Sequence, residues 1–227
     1  VKTLATHYCE QQQMLEEQLA LWSSYSIEVL ASLEFVVVDD CSTTRPAAAI
    51  LKGCNLPVRV LRLQRSVPWN FSVVRNLAIR EALHAEVLLF DLDHFVPAAT
   101  AAQFLAESVQ RGTFSLCELE DQCGTKLQAH QHCAAYERTS YLETGGYDES
   151  WSGYNSDWLF VPRRASQLTR KDIGLRLVRR DGQGCQKWQR GGRFNVLSCR
   201  KREFEAATKN LSRPCNTHHW QWTEEKV

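Results

Sequence analysis

The chain has 227 residues, enough for one well-cored domain with a small appendage. Its hydrophobic content of 44% and charged content of 23% are ordinary for a soluble globular protein, and its net charge of +1 gives no bulk attraction for nucleic acid. No stretch reaches the roughly 18 consecutive apolar residues that a bilayer-spanning helix needs, so only peripheral membrane contact stays open.

Nine cysteines are present, with no C-x-x-C pair and no zinc-ligand spacing. They are expected to be small buried hydrophobes in a reducing compartment. The first residues, Val1 to Thr6, carry no signal-peptide core, and the missing initial Met reads as a mature chain or an excised domain. Of the two sequons, at Asn70 and Asn210, the first lies within the motif series described below, where a glycan would be awkward. Together these features point to the cytoplasm.

Along the chain, strand and helix patterns alternate. Thr3 to Tyr8 reads as a strand, and Gln11 to Trp22 as a helix with Met14, Leu15, Gln18, Leu19 and Trp22 on one face. Leu33 to Asp39 is a buried strand, Pro46 to Lys52 a helix with Pro46 in its first turn, and Val58 to Leu63 a strand. Asn70 to His84 reads as helix, and a strand from Val87 ends at Asp91 and Asp93. A helix from Ala98 to Gln110 and a strand from Thr113 to Leu119 follow. This order predicts an α/β fold with a mainly parallel central sheet and helices on both faces.

After Gly124 the pattern changes. His132 to Glu137 reads as a strand, Thr139 to Thr144 as a short helix, Gly145 to Glu149 as a turn, and a helix starts near Ser156. From Arg163 to Arg202 the chain carries 13 Lys and Arg against 2 Asp, which reads as a solvated basic face or as a surface that meets phosphates. The expected organisation is therefore a catalytic domain over residues 1–164, its nucleotide-binding half 1–97 and its acceptor half 98–164, with a basic extension over 165–227 packed on it.

The run Val87-Leu88-Leu89-Phe90-Asp91-Leu92-Asp93-His94 carries the most chemistry. Alternate side chains of an extended segment point the same way, so Asp91 and Asp93 present two hard carboxylates together. Ligands of open α/β sheets bind at the carboxyl ends of strands. Two such oxygens suit Mg²⁺ or Mn²⁺ held against substrate phosphates. Asp39 is expected either to brace the turn that follows it or to touch ligand.

Taken in order, Thr6-His7-Tyr8, Val38-Asp39-Asp40-Cys41-Ser42, Val74-Arg75-Asn76-Leu77-Ala78, Asp91-Leu92-Asp93, Gly145-Gly146-Tyr147-Asp148-Glu149 and Ser156-Asp157-Trp158 form a series. This series resembles the GT-A glycosyltransferases of family two, the inverting nucleotide-sugar enzymes, over Thr3 to Arg164. The resemblance implies a GT-A fold and a metal-dependent, hexosyltransferase-type transfer of sugar from a nucleoside-diphosphate sugar to a saccharide or lipid-linked acceptor. It implies that Asp40 accepts a hydrogen bond from the nucleotide base, with Thr6 and Tyr8 lining that pocket and Tyr8 stacking on the base. It assigns Arg75 and Asp91 to the donor, Asp91 and above all Asp93 to Mn²⁺ or Mg²⁺, and Asp157 to the general base. Ser156 stands where the family has Glu, which leaves Asp148 or Glu149 as fallback bases. A third metal ligand near the C-terminus would be His218 or His219. Two other readings stay open at this point. One is a haloacid dehalogenase-like phosphatase with Asp91 as nucleophile and Asp93 as acid, and the other a non-catalytic module that kept the fold.

Overall fold

A computed structural model describes residues 1–65, 70–149, 157–180 and 220–227. In chain order its elements are β1 (Lys2–Tyr8), α1 (Gln12–Ser23), α2 (Ile27–Ala31), β2 (Leu33–Asp39), α3 (Ala47–Leu51), β3 (Val58–Leu63) and α4 (Phe71–Glu81). There follow β4 (Glu86–Leu89), β5 (His94–Phe95), α5 (Ala98–Ala106), β6 (Thr113–Leu116), β7 (Glu118–Glu120), β8 (Lys126–Leu127) and β9 (Ala134–Glu137). The last are α6 (Arg138–Glu143), α7 (Asp157–Gln167), β10 (Thr169–Arg170), β11 (Arg176–Arg179) and β12 (Trp222–Glu225).

The main sheet has the order β10-β6-β9-β4-β1-β2-β3-β12, and a smaller one the order β5-β11-β7-β8. The fold is α/β as expected, but the sheet is mixed. The block β4-β1-β2-β3 is parallel. Strand β9 enters antiparallel between β4 and β6, and β12 closes the other edge antiparallel to β3. An antiparallel neighbour needs no crossover helix, which is why the β-α alternation lapses after Gly124.

Strands β2 and β3 begin and end where the apolar patterning says. Alternation sends Phe35 and Val37 to one face, with Met14, Leu15 and Trp22 of α1 and Phe104 of α5, and Val36 and Val38 to the other, with Val73, Val74 and Leu77 of α4. Helices therefore cover both faces, and β2 is buried along its whole length. The strand expected over Thr113 to Leu119 is broken at Cys117 into β6 and β7, which belong to different sheets. Pro46 is the N-cap of α3 rather than a residue of its first turn. In its place Asp39 caps α3, since its carboxylate accepts from the backbone N–H of Ala47 at 2.8 Å and of Ser42 at 2.7 Å.

The described parts of the expected basic extension include the end of α7 and three strands. β10 lies beside β6, β11 joins β5 and β7, and β12 pairs with β3, where Glu224 meets Arg59 at 2.8 Å. Residues 181–219, with His218, His219 and six of the thirteen basic residues of that run, lie outside the described residues.

One side chain joins the two halves of the domain. Asn76, on α4, donates through Nδ2 to the carbonyl of Tyr147 at 2.8 Å and to Glu149 Oε1 at 3.0 Å. Its Oδ1 accepts from the Tyr141 hydroxyl at 2.7 Å and the Tyr147 backbone N–H at 2.9 Å. Gly146 passes so close, at φ +62°, that an added Cβ would collide with the Asn76 amide. Removing Asn76 strands several buried partners, so Asn76→Ala is expected to cost on the order of 2–4 kcal/mol in urea denaturation. Gly146→Ala, which adds left-handed strain to the collision, is expected to cost about 1–3 kcal/mol in the same measurement.

Candidate functional site

The parallel block ends in three adjacent loops. β1 runs into His7 and Tyr8, β2 into Asp39 and Asp40, and β4 through Phe90 into Asp91. The first two loops are tied together, because the backbone N–H of Asp40 donates to the carbonyl of Tyr8 at 2.9 Å. The Glu10 carboxylate accepts from the N–H groups of Thr44 and Arg45, both at 2.9 Å, and from that of Thr43. Glu10 and Cys41 hold positive φ values of 53° and 56°, the two non-glycine residues so placed among those described. Backbone in that region persists only where surrounding contacts over-determine it.

Asp40 is largely buried, and its Oδ1 has no hydrogen-bond partner in the structure. Burial pushes its carboxyl up to about 7, against the lowering effect of a hydrogen bond from Asn70. Thr6, fully buried, also keeps an unpartnered hydroxyl. Tyr8 is different. Its ring is wholly buried in the core and its hydroxyl donates to the carbonyl of Arg45, so it presents no exposed face on which a base could stack. Asn70 itself is buried, which leaves no room for a glycan there in the folded chain.

Arg75 reaches the strand ends from α4. It is 2% exposed, and its Nη2 donates to Asp91 Oδ1 at 2.6 Å. Its guanidinium lies over the rings of Phe71 and Tyr147, at 4.9 and 5.5 Å from their centroids, and its Nε and Nη1 have no hydrogen-bond partner. Burial alone would raise the Asp91 pKa, but Arg75 and the nearby histidines outweigh it and hold the carboxyl well below the usual range.

Histidines crowd this carboxylate. His130 Nδ1 is 3.3 Å from Asp91 Oδ2, and His7 Nδ1 is 3.8 Å from Oδ1. His132 hydrogen-bonds through Nδ1 with the Tyr147 hydroxyl at 2.7 Å. Burial, and next the charge of Arg75, depress His7 to about 4 and His132 to about 2, so both rings are neutral near pH 7. Asp91, His94 and Cys133 each offer a donor atom, and these atoms all lie within 4.8 Å of one another.

Asp93, the other member of the expected metal pair, is not in that group. Its side chain is 44% exposed and sits 2.8 Å from His94 Nδ1. The three donors that converge are one oxygen, one nitrogen and one sulfur. Glu149 is buried between Asn76 and Arg80 Nη1, the latter 3.5 Å away, and serves the clamp described above. Asp157 opens α7; its side chain and Ser156 lie outside the described residues. His94, His130, His132 and Cys133 were absent from the expected site. The sequence signal was there in the spacings Asp91-x-x-His94 and His130-x-x-Cys133, but both fall in turns whose meeting requires β9 to lie beside β4.

No protein-family model matches the sequence, and no curated protein matches it. Solved structures do. TarS 1–349 from S. aureus superposes with a TM-score of 0.60 at 18% identity, over 79% of this chain and 58% of that one; it has also been solved with UDP-GlcNAc. The mannosyltransferase PcManGT of Pyrobaculum calidifontis, in complex with GDP-Man and Mn²⁺, gives 0.61 at 16% identity, over 93% of this chain and 64% of that one. GalNAc-T7, with UDP, GalNAc and Mn²⁺, gives 0.61 at 14%, over 80% and 44%. The chain spans less than two thirds of the length of each of these structures. The likeness is one of fold: the chain has the GT-A fold of these glycosyltransferases.

The raised carboxyl of Asp40 has a definite pH signature. An unfolded aspartate ionises near 4, while this one resists ionisation up to about 7 in the folded chain. Its contribution to stability is therefore complete below pH 4 and lost as pH rises through 7. Asp40→Asn never acquires the charge, so its stability relative to wild type should rise between pH 4 and pH 7 and level off above. Urea unfolding at pH 5 and pH 8 checks this.

Proposed function

We propose that the chain is a glycosyltransferase that takes a nucleoside-diphosphate sugar and moves the sugar to an acceptor hydroxyl with inversion. The observation that carries this reading is the single edge where the neighbouring ends of β1, β2 and β4 bring together Thr6, Asp40 and Asp91, with Arg75 bound to Asp91. The GT-A fold adds support, since the related structures were solved with UDP, UDP-GlcNAc or GDP-Man.

In this reading the unpartnered Oδ1 of Asp40 receives an N–H of the nucleotide base, which returns the carboxylate to its ionised form. Thr6 lines the same pocket. Arg75, whose Nε and Nη1 remain available, contributes fixed positive charge toward the diphosphate. Asp157 takes the proton of the attacking acceptor hydroxyl as that oxygen closes on the anomeric carbon from the face opposite the diphosphate. Asp148 is the alternative acid for that step.

A divalent cation fits this edge, because Asp91 Oδ2 and a buried, unpartnered Nε2 of His94 both belong to it. PcManGT and GalNAc-T7 were solved with Mn²⁺. When bound, such an ion neutralises charge on the departing diphosphate. Asp91 and Asp93 are the acids through which it would be held or oriented.

The phosphatase alternative asks Asp91 to act as nucleophile. Its carboxylate would then be spent in a covalent bond while the buried Arg75 guanidinium lost its partner, a cost of several kcal/mol.

Three measurements test the proposal. A thermal-shift panel of nucleoside diphosphates, with and without Mn²⁺, should single out one base through a metal-dependent rise in Tm. Asp157→Asn should slow transfer on the order of 10²–10⁴-fold while leaving diphosphate binding intact. Asp40→Asn should weaken nucleotide binding instead. Phosphate release from simple phosphomonoesters, without any nucleoside diphosphate, would sink the reading.

A further inference from the structure

Strand β12 brings an indole to the sheet edge that Asp40 occupies. Asp39 pairs with Arg62, and Leu63, the next residue of β3, pairs with Trp222. Continued by one residue, this register sets Asp40 and Trp222 on either side of Leu63. The pairing runs on past the strand, since the backbone N–H of Gln64 donates to the carbonyl of Gln221 at 3.1 Å. Alternation then places Trp220 on the face of Trp222, one step further toward the loops, and Asp40 on the face of Val36 and Val38. Both are the face covered by α4, where Cys41, Trp220 and Trp222 pack on the apolar cluster.

Three buried polar atoms on this face lack hydrogen bonds: Asp40 Oδ1, Asn70 Nδ2 and Trp220 Nε1. Asn70 is 1% exposed and stands at the head of α4, which lies over β1 and β2. It comes close enough to Asp40 to lower the carboxyl, yet Nδ2 reaches no hydrogen-bonding geometry. That closeness orients the amide, because the opposite flip would set an amide oxygen against the carboxylate. Trp220 stands on the other side of Asp40, on the strand beyond β3. Across the edge the free groups therefore run donor, acceptor, donor.

We propose that Asn70, Asp40 and Trp220 read the imide edge of a uracil-type base, so that the donor is a uridine or thymidine diphosphate sugar, and that Trp220 sets base specificity. The proposal rests on the transferase reading above. The fold leaves the base open, since TarS and GalNAc-T7 were solved with UDP and PcManGT with GDP-Man.

The order of the groups decides among the bases. Uracil and thymine present O2, N3–H and O4, an acceptor, a donor and an acceptor, and the protein offers the complement of each. Guanine presents O6, N1–H and the 2-amino group, which would turn an amino N–H against a protein N–H. Cytosine and adenine place an acceptor nitrogen at the centre, where its lone pair would face the Asp40 carboxylate. Buried groups set against their own kind stay unsatisfied, and a site built to hydrogen-bond one ligand rejects others on that ground. The indole N–H suits this task, because it can only donate and its ring is held by packing.

The test titrates the full chain, in Mn²⁺, with UDP, dTDP, GDP, CDP and ADP. UDP or dTDP should bind at least about tenfold tighter than the other three. N3-methyl-UDP, which has no N3–H to give Asp40, should bind no better than CDP. Trp220→Phe keeps an aromatic ring on the cluster but has no N–H; it should weaken UDP about 3–10-fold and leave GDP unchanged. Its urea midpoint without nucleotide reports whether it folds as the wild type does, and the N3-methyl-UDP result stands without the variant. Tightest binding of GDP, CDP or ADP, equal binding of all five, or full affinity for N3-methyl-UDP would overturn the base assignment while the transferase reading stands. Unchanged UDP affinity in a folded Trp220→Phe, or equal losses of UDP and GDP, would overturn the role of Trp220. Failure of every nucleoside diphosphate to bind would instead remove the transferase reading itself.

Discussion

A guanidinium that cannot lose its proton is buried at the point where three strands end. Arg75 can be tolerated there only with a paired anion, and Asp91 is that anion. The pair constrains everything around it. It keeps Asp91 ionised in a site where burial alone would neutralise it, while burial, and next the charge of Arg75, leaves the neighbouring imidazoles of His7 and His132 uncharged. A carboxylate fixed in the charged form beside neutral imidazoles is a ligand set ready for a cation, and the spare N–H groups of the same arginine face the requirements of an anion. One residue thereby sets the charge along this edge.

Next to Arg75 on the same helix, Asn76 performs the mechanical counterpart. It satisfies backbone groups of the Gly146–Tyr147 loop and so fixes that loop against α4. Tyr147 then packs on Phe160 of α7, with centroids 4.1 Å apart, and Arg163 of the same helix donates to the carbonyl of Gly146 at 3.1 Å. Through these contacts the start of α7, where Asp157 lies, is tied to the helix that carries Arg75. The α4 dipeptide Arg75-Asn76 is a single stretch of chain that places an electrostatic centre and a packing clamp one residue apart.

Several of the buried polar atoms left without partners lie at one edge. Thr6 Oγ1, Asp40 Oδ1, Arg75 Nε and Nη1, and His94 Nε2 lack hydrogen bonds, and all belong to residues at the carboxyl edge of the parallel block or to the helix side chain reaching it. Buried polar groups are normally satisfied, since an unmade hydrogen bond costs about 1–3 kcal/mol. Others lie elsewhere among the described residues, on Gln18, Trp22 and Arg164, so what sets this edge apart is that its unpartnered atoms include the acid and the guanidinium that the strand ends bring together.

Local patterning made the parallel block legible. Leu33 to Asp39 and Val58 to Leu63 are apolar runs bounded by polar turns, and such runs are strands wherever helices can cover both faces. The acids Asp40 and Asp91 could be read because each comes directly after an apolar strand run, β2 and β4. The short elements β5, β7, β8, β10 and β11 could not be read, because two to four residues carry no periodicity and exist only through their partners. The same reason hid His94, His130 and Cys133. Their side chains come from separate turns, brought together by an antiparallel strand that enters from the far half of the chain. By itself the sequence determined which strand ends carry charge, since that depends on residue type and alternation. Which charges meet was decided by tertiary structure alone. Asp93 turns toward His94 and solvent while Asp91 turns toward Arg75, whose buried charge needs a paired anion, and that choice is made by packing and not by spacing.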